Sequence, residues 1–279
     1  MTVAPSAASS NSSAVVAKPV PIVVHGSGGR MGQRILALAA ADPQFRIVAG
    51  VARKAGKVSD YGIDSDAPVL TSLPEAQAET LRTVVIDFSH PGALPGLAAA
   101  CAEARHGLVS GTTGIVPADL DRAFAAVSGT VPVLWAPNTS LGVNVVFKLA
   151  AQLAKALGED YDIELVEAHH NQKKDAPSGT ALGIADAILH ATGRTRADLV
   201  HGREGQVGAR KKNEIGMHAL RLGDVVGEHS AYFCGNGERI TLTHQAHSRD
   251  VFARGALRAA AFIARAKPGR YTMADVLGL

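Results

Sequence analysis

The chain has 279 residues, 47% of them apolar, with a formal net charge of +3 and two cysteines. That length and apolar content can bury one or two substantial cores, enough for a cofactor domain joined to a substrate domain. The mild charge excludes a nucleic-acid binder, because the one dense basic run, Arg210-Lys211-Lys212, has no aromatic neighbours to stack on bases and reads as a solvated loop; Cys101 and Cys234 form no metal or redox motif, as expected of a reduced intracellular protein.

Met1 to Ala17 is rich in Ala and Ser, and the first charged side chain is Lys18. Such a stretch offers no apolar face and is expected to be a disordered tail over residues 1–18. It lacks the cationic start and continuous apolar core of a secretory signal. No uninterrupted apolar run is long enough to span a bilayer, so a cytoplasmic protein without a membrane partner is expected.

Val20 to Val24 is a short apolar strand that leads into Gly26-Ser27-Gly28-Gly29-Arg30-Met31-Gly32, after which Ile35, Leu36, Leu38 and Ala39 continue as a helix. Glycines at a strand-to-helix turn let backbone and helix N-terminus approach a pyrophosphate, although Met31 stands where a strict G-x-G-x-x-G has its last glycine. Further apolar strands at Ile47–Val51 and Val84–Phe88, read as following helical segments, supply a βαβ context. A nucleotide-binding unit of this kind places an acid about 20 residues past the glycines when it binds NAD. Counting from Gly32 reaches Ala52, then Arg53 and Lys54, so NADPH is the expected cofactor, with NADH use left open.

A strand ending at Trp135 leads to Ala136-Pro137-Asn138, and a hinge is expected near 138–142 before a long helical pattern from Val143 to Leu157. The next segment, Glu164 to Ala181 (ELVEAHHNQKKDAPSGTA), has the composition of an active site, since core elements avoid so many titratable groups. Ile163 to Ala168 reads as a strand, and Pro177-Ser178-Gly179-Thr180 starts a helix carried by Leu182, Ile184, Ile188 and Leu189. Unpaired N–H groups at that helix start and the Ser178 and Thr180 hydroxyls form a receptor for an anion, with Lys173 and Lys174 beside it. His169 and Lys173 suit proton delivery. On a continuing strand His169 and His170 would face opposite ways, so only one would meet a reacting atom. His169, His170 and Asp175 match no strong ligand spacing, and no metal is expected. From Ile215 to Thr243 the pattern reads as antiparallel strands, and Val251 to Ala266 as a closing helix, apolar on one side.

The histidine segment resembles the signature of the dihydrodipicolinate reductase family, the 4-hydroxy-tetrahydrodipicolinate reductases of the diaminopimelate route to lysine. GSGGRMG at Gly26–Gly32, VIDFSHP at Val85–Pro91, GTTG at Gly111–Gly114, APNTSLGVNV at Ala136–Val145 and GDVVGEHSAYF at Gly223–Phe233 join it in the family's order. The resemblance implies His169 as catalytic acid/base and Lys173 as proton donor. It further implies that His170 and Ser178-Gly179-Thr180 hold the carboxylates of a small dicarboxylate, and that Gly111, Thr112 and Thr113 with Ala136, Pro137, Asn138 and Thr139 surround the nicotinamide. The family often has an aromatic residue where Thr139 stands.

The expected fold is α/β: a Rossmann-like parallel-sheet nucleotide domain (19–138 and 250–279) plus a smaller α+β substrate and oligomerisation domain (139–249). The resemblance also implies that the last helix packs on the nucleotide domain and that the mid-chain sheet builds a homotetramer. Two alternatives are an NAD(P)-dependent dehydrogenase of an amino acid such as aspartate, against which the HH-x-x-K-x-D-x-PSGT block stands, and a silent nucleotide sensor, against which intact His169 and Lys173 stand.

Overall fold

The computed structural model describes residues 18–75 and 81–279; the expected tail, Met1–Ala17, lies outside them. The first part of the chain comprises β1 (Val20–His25), α1 (Arg30–Ala40), β2 (Phe45–Val51), β3 (Gly56–Lys57), β4 (Pro68–Leu70), β5 (Val84–Asp87), α2 (Leu94–Glu103), β6 (Gly107–Ser110), α3 (Pro117–Val127) and β7 (Pro132–Trp135). Then come α4 (Leu141–Leu157), β8 (Asp162–His169), α5 (Gly179–Thr192), β9 (Leu199–His201), β10 (Ile215–Arg221), β11 (Gly227–Gly235) and β12 (Glu238–Ala246). The chain closes with α6 (Asp250–Ile263), β13 (Gly269–Tyr271) and α7 (Met273–Leu277).

The first sheet has the order β13-β7-β6-β5-β1-β2-β4-β3 and is parallel except where β3 runs against β4. Its strands read as nearly continuous apolar runs because both faces are covered. Ile22, Val24 and Ile86 meet Ile35 and Leu36 of α1 and Ala256, Ala260 and Ile263 of α6. Val23, Val85 and Leu108 meet Leu97 of α2 and Phe124 of α3. Because β2 and β5 flank β1 on opposite sides, the strand order reverses there, and the crevice beyond His25 and Asp87 is where such sheets bind ligands. Between β2 and β5 the described residues form β3, a 3-10 turn and β4 rather than the expected helix.

The second sheet has the order β12-β11-β8-β10-β9. The antiparallel expectation holds for β11 and β12, whereas β10 runs parallel to β8 and β9, since the chain returns through α5 instead of a hairpin. One face is covered: Ile163, Leu165, Met217 and Phe233 pack against Val146 and Ala150 of α4 and Ile184 and Ile188 of α5. Fully burying each such side chain is worth about 1.5–3 kcal/mol. α4 opens on Ser140, whose Oγ accepts the Val143 N–H, and α5 ends on Gly193 in the left-handed region. The segment Leu141–Asp160, which contains α4, has the length and apolar character of a bilayer span, but its buried stripe is spent on α5 and the sheet.

Arg210 is not the solvated loop residue expected. It donates to Asp162 and Glu164 and to the Ile163 carbonyl, fastening the start of β8. Burial acts to raise the Glu164 pKa, but donors from Arg203, His218 and Arg210 outweigh it and hold the carboxyl at about 2. β13 and α7 were not expected; they extend the first sheet beside β7 and add Met273 and Val276 to its core.

Candidate active site

The glycine turn is shaped by close approach. Gly26 has φ +81°, and a Cβ on Gly32 would stand 2.2 Å from the Gly26 carbonyl oxygen, so α1 begins pressed onto the end of β1. Gly29 caps α1 without a side-chain hydrogen bond, leaving the first-turn N–H groups for a ligand. A cavity of about 1030 Å³ opens here, lined by Gly26, Gly28 and Gly29 on one side and by Arg53 and Lys54 on another. Asp60 also lines it, with one carboxylate oxygen engaged by the Lys57 N–H at 2.7 Å. An uncapped helix start, glycine-lined floor and exposed Arg53 fit a dinucleotide.

Beneath the crevice lies Asp87, fully buried at the end of β5. It accepts from His25 Nδ1 at 2.8 Å, Ser89 Oγ at 2.6 Å, Thr112 Oγ1 at 2.7 Å and Ser110 Oγ at 2.8 Å. Burial acts to raise its pKa, but these bonds prevail and lower it. The carboxylate thereby ties the GTTG loop to the strand beside the glycine turn.

A second cavity of about 520 Å³ adjoins the first through Phe88, which lines both. Met31, Thr113, Pro137, Asn138 and Thr139 face it from the segments that follow strands of the first sheet. His169, His170, Lys173, Ser178, Gly179 and Thr180 face it from the stretch between the end of β8 and the start of α5. β8 ends at His169, so the strand does not continue through His170, and both imidazoles border the cavity. Lys173 is paired with Asp175 at 2.9 Å, and Lys174 is not among the lining residues.

The remaining expected positions are distributed differently. Ser27 is fully buried, its Oγ without a partner. Arg30 opens α1, exposed, and borders neither cavity. Gly111 lies against the Phe88 ring, 2.3 Å from where a Cβ would stand. Thr112 is committed to Asp87, and Ala136 is buried. Thr139 lines the cavity while its hydroxyl donates to the Phe252 carbonyl at 2.7 Å.

Glu167, Arg221 and His229 are among the residues of the site that the sequence alone does not single out. Glu167 and His169 lie two apart on β8 and share a face, the one signal that could have found the carboxylate. His169 Nδ1 bonds Glu167 Oε2 at 2.6 Å, and Arg221 grips both oxygens at 2.9 and 3.1 Å. Burial acts to raise the Glu167 pKa, but donors from Arg221 and His169 reverse it. Burial lowers the His169 pKa, with Glu167 opposing. His229 meets His169 edge to face at 5.1 Å between ring centres, and its Nε2 lies 3.0 Å from Ser178 Oγ. Burial, reinforced by His169, pushes His229 down to about 3. Among the described residues no group of histidines, cysteines and carboxylates could hold a metal.

The family model for the N-terminus of dihydrodipicolinate reductase matches residues 20–139, and that for its C-terminus matches residues 142–277. The chain belongs to the dihydrodipicolinate reductase family. The reductase is 48% identical over 263 residues to the 4-hydroxy-tetrahydrodipicolinate reductase of Myxococcus xanthus, covering 92% of this chain and 97% of that protein. Its identity with the protein of the same name from Nitratidesulfovibrio vulgaris strain DP4 is 45% over 261 residues, covering 92% and 98%. The fold is similar to that of dipicolinate-bound dihydrodipicolinate reductase from Paenisporosarcina sp. TG-14, with a TM-score of 0.71 at 23% identity over 91% of this chain and 97% of that one.

Proposed function

We propose that the reductase uses NADPH to convert 4-hydroxy-tetrahydrodipicolinate to tetrahydrodipicolinate, with His169 and Lys173 handling protons. The chain is an oxidoreductase of the diaminopimelate route to lysine, and the reaction adds one hydride and one proton and releases water. Bound nicotinamide supplies the hydride. Everything else falls to the protein's own groups.

In this reading the carboxylates of the substrate rest on the first-turn N–H groups of α5, the hydroxyls of Ser178 and Thr180, and His170. His169 has Nδ1 engaged by Glu167, so Nε2 is the nitrogen that exchanges a proton with the ligand, and the Lys173 ammonium beside it donates. Arg53 at the lip of the first cavity supports NADPH over NADH, since a guanidinium bonds a 2′-phosphate in bidentate fashion. Residues 19–138 with 250–279 form the nucleotide domain, and 139–249 the substrate domain. The working assembly is a cytoplasmic homotetramer built on the second sheet, a reading supported by exposed Leu220, Leu222 and Ile240.

The observation that carries this reading is the convergence of His169, Lys173 and the Ser178–Thr180 turn with Met31, Thr113 and Asn138 on one cavity. NADPH oxidation measured with the product of the dihydrodipicolinate synthase reaction tests it. Oxidation dependent on that substrate is the expected result, and its absence from folded, NADPH-binding enzyme sinks the reading.

A further inference from the structure

Glu167 is a carboxylate enclosed in the sheet, 1% exposed and absent from the cavity lining. Its acceptor positions are filled from three elements. Oε2 takes His169 Nδ1–H at 2.6 Å and Arg221 Nη1 at 2.9 Å; Oε1 takes Arg221 Nη2 at 3.1 Å and the Ser178 N–H at 3.0 Å. Arg221, at the end of β10, also donates to the Asp175 carbonyl at 2.7 Å, so it fastens the loop that carries Lys173.

An ionised carboxylate only accepts hydrogen bonds, so the nitrogen of His169 that faces it must carry hydrogen. Nε2 is then the atom left to gain or lose a proton. β11 leaves that atom room because residue 227 is a glycine: a Cβ there would stand only 3.0 Å from Nε2, closer than ordinary van der Waals contact. A protonated Glu167 could donate instead, and the tautomer would no longer be fixed; the Arg221 fork prevents this.

We propose that Glu167 is the positioning residue of the reduction: its ionised carboxylate fixes His169 as the Nδ1–H tautomer and holds Ser178 at the substrate-receiving helix start. The proposal rests on His169 being the acid/base. The titratable and charged groups that face His169 are Glu167 on its own strand, His229 on β11, Lys173 in the following loop and Arg221 on β10. Of these only Glu167 favours the imidazolium. Removing its charge therefore weakens the hold of His169 on a proton.

Glu167→Gln, compared with wild type across pH, is the test. kcat should fall by about tenfold to a hundredfold, and the high-pH limb of kcat should move down by about one unit. NADPH Kd should be unchanged, and substrate KM should move less than kcat. An unchanged pH profile, even with a lowered Tm, overturns the proposal, because a purely structural role moves only the latter. Should the variant not fold, nitrogen-15 NMR of the imidazoles in the unaltered enzyme reads the tautomer directly: Nδ1–H on His169 is the expected form, and Nε2–H overturns it. His169→Gln separates the two levels. An active His169→Gln enzyme defeats the acid/base reading itself, whereas an inactive one beside a normal Glu167→Gln profile defeats only the role of Glu167.

Discussion

Asn138 donates through Nδ2 to Thr180 Oγ1 at 2.8 Å, joining the loop after β7 to the first turn of α5. Asn138 is held in turn: its Oδ1 accepts the Ser140 N–H at 2.9 Å and its carbonyl accepts Asn144 Nδ2 at 3.0 Å. The oxygen of Thr180 is thus an acceptor for the nucleotide side, and its O–H is left to donate. Thr180→Val should raise substrate KM by roughly one to two decades, the scale of a lost bond to a charged group, with NADPH Kd little changed. An unmoved KM would remove the helix start as carboxylate receptor.

His169→Ala and Lys173→Ala should each lower kcat by roughly a hundredfold or more, the usual scale for a lost general acid. Both residues line the second cavity whereas the glycines of the turn line the first, so NADPH Kd, read by fluorescence titration, should stay near wild type. Near-normal turnover in both variants would be fatal to the assigned roles.

Cofactor preference follows from the end of β2. Arg53 and Lys54 line the first cavity, at the strand end where an NAD-specific unit has an acid, so kcat/KM should favour NADPH. Arg53→Ala should reduce kcat/KM for NADPH and leave that for NADH nearly alone. A clear preference for NADH in wild type, or an Arg53→Ala enzyme that loses nothing with NADPH, would contradict this.

Stability should depend on pH through His229. An exposed histidine in the unfolded chain takes up a proton near pH 6.5, whereas burial depresses folded His229 to about 3. The unfolded state therefore binds more protons between these values, and stability present above about pH 6.5 is lost as pH falls toward 3. At about 1.4 kcal/mol per unit, roughly 2 kcal/mol is gone by pH 5. His169 and His244, also lowered by burial, act in the same direction. Urea unfolding of wild type and His229→Gln from pH 7.5 to 5 checks it: the variant should show a shallower loss, and equal slopes would refute it.

What was legible in the sequence is what short range encodes. The glycine turn between β1 and α1 and the strand, loop and helix around His169 are written in consecutive residues. The direction of β10 was not, because parallel pairing with β8 depends on where α5 returns the chain. Nor were Arg221 and His229 readable as site residues: the first is brought opposite His169 and the second opposite Glu167 only by registers that span tens of residues. α7 does carry a local signal, the capping box of Thr272 and Asp275.

The return of α6 and β13 to the first sheet dictates an order of events during synthesis. β8 to β12, with α4 and α5, form a continuous stretch of chain that can close as soon as it leaves the ribosome. The sheet begun by β1 waits for Asp250 onward, because until then Ile22, Val24 and Ile86 lack the alanine-rich helix that shields them. A chain truncated before Asp250 and released should therefore pair a protease-resistant later half with a protease-sensitive, chaperone-binding earlier half. Limited proteolysis of the truncated, released chain would reveal that inversion, the portion made first being the last to mature.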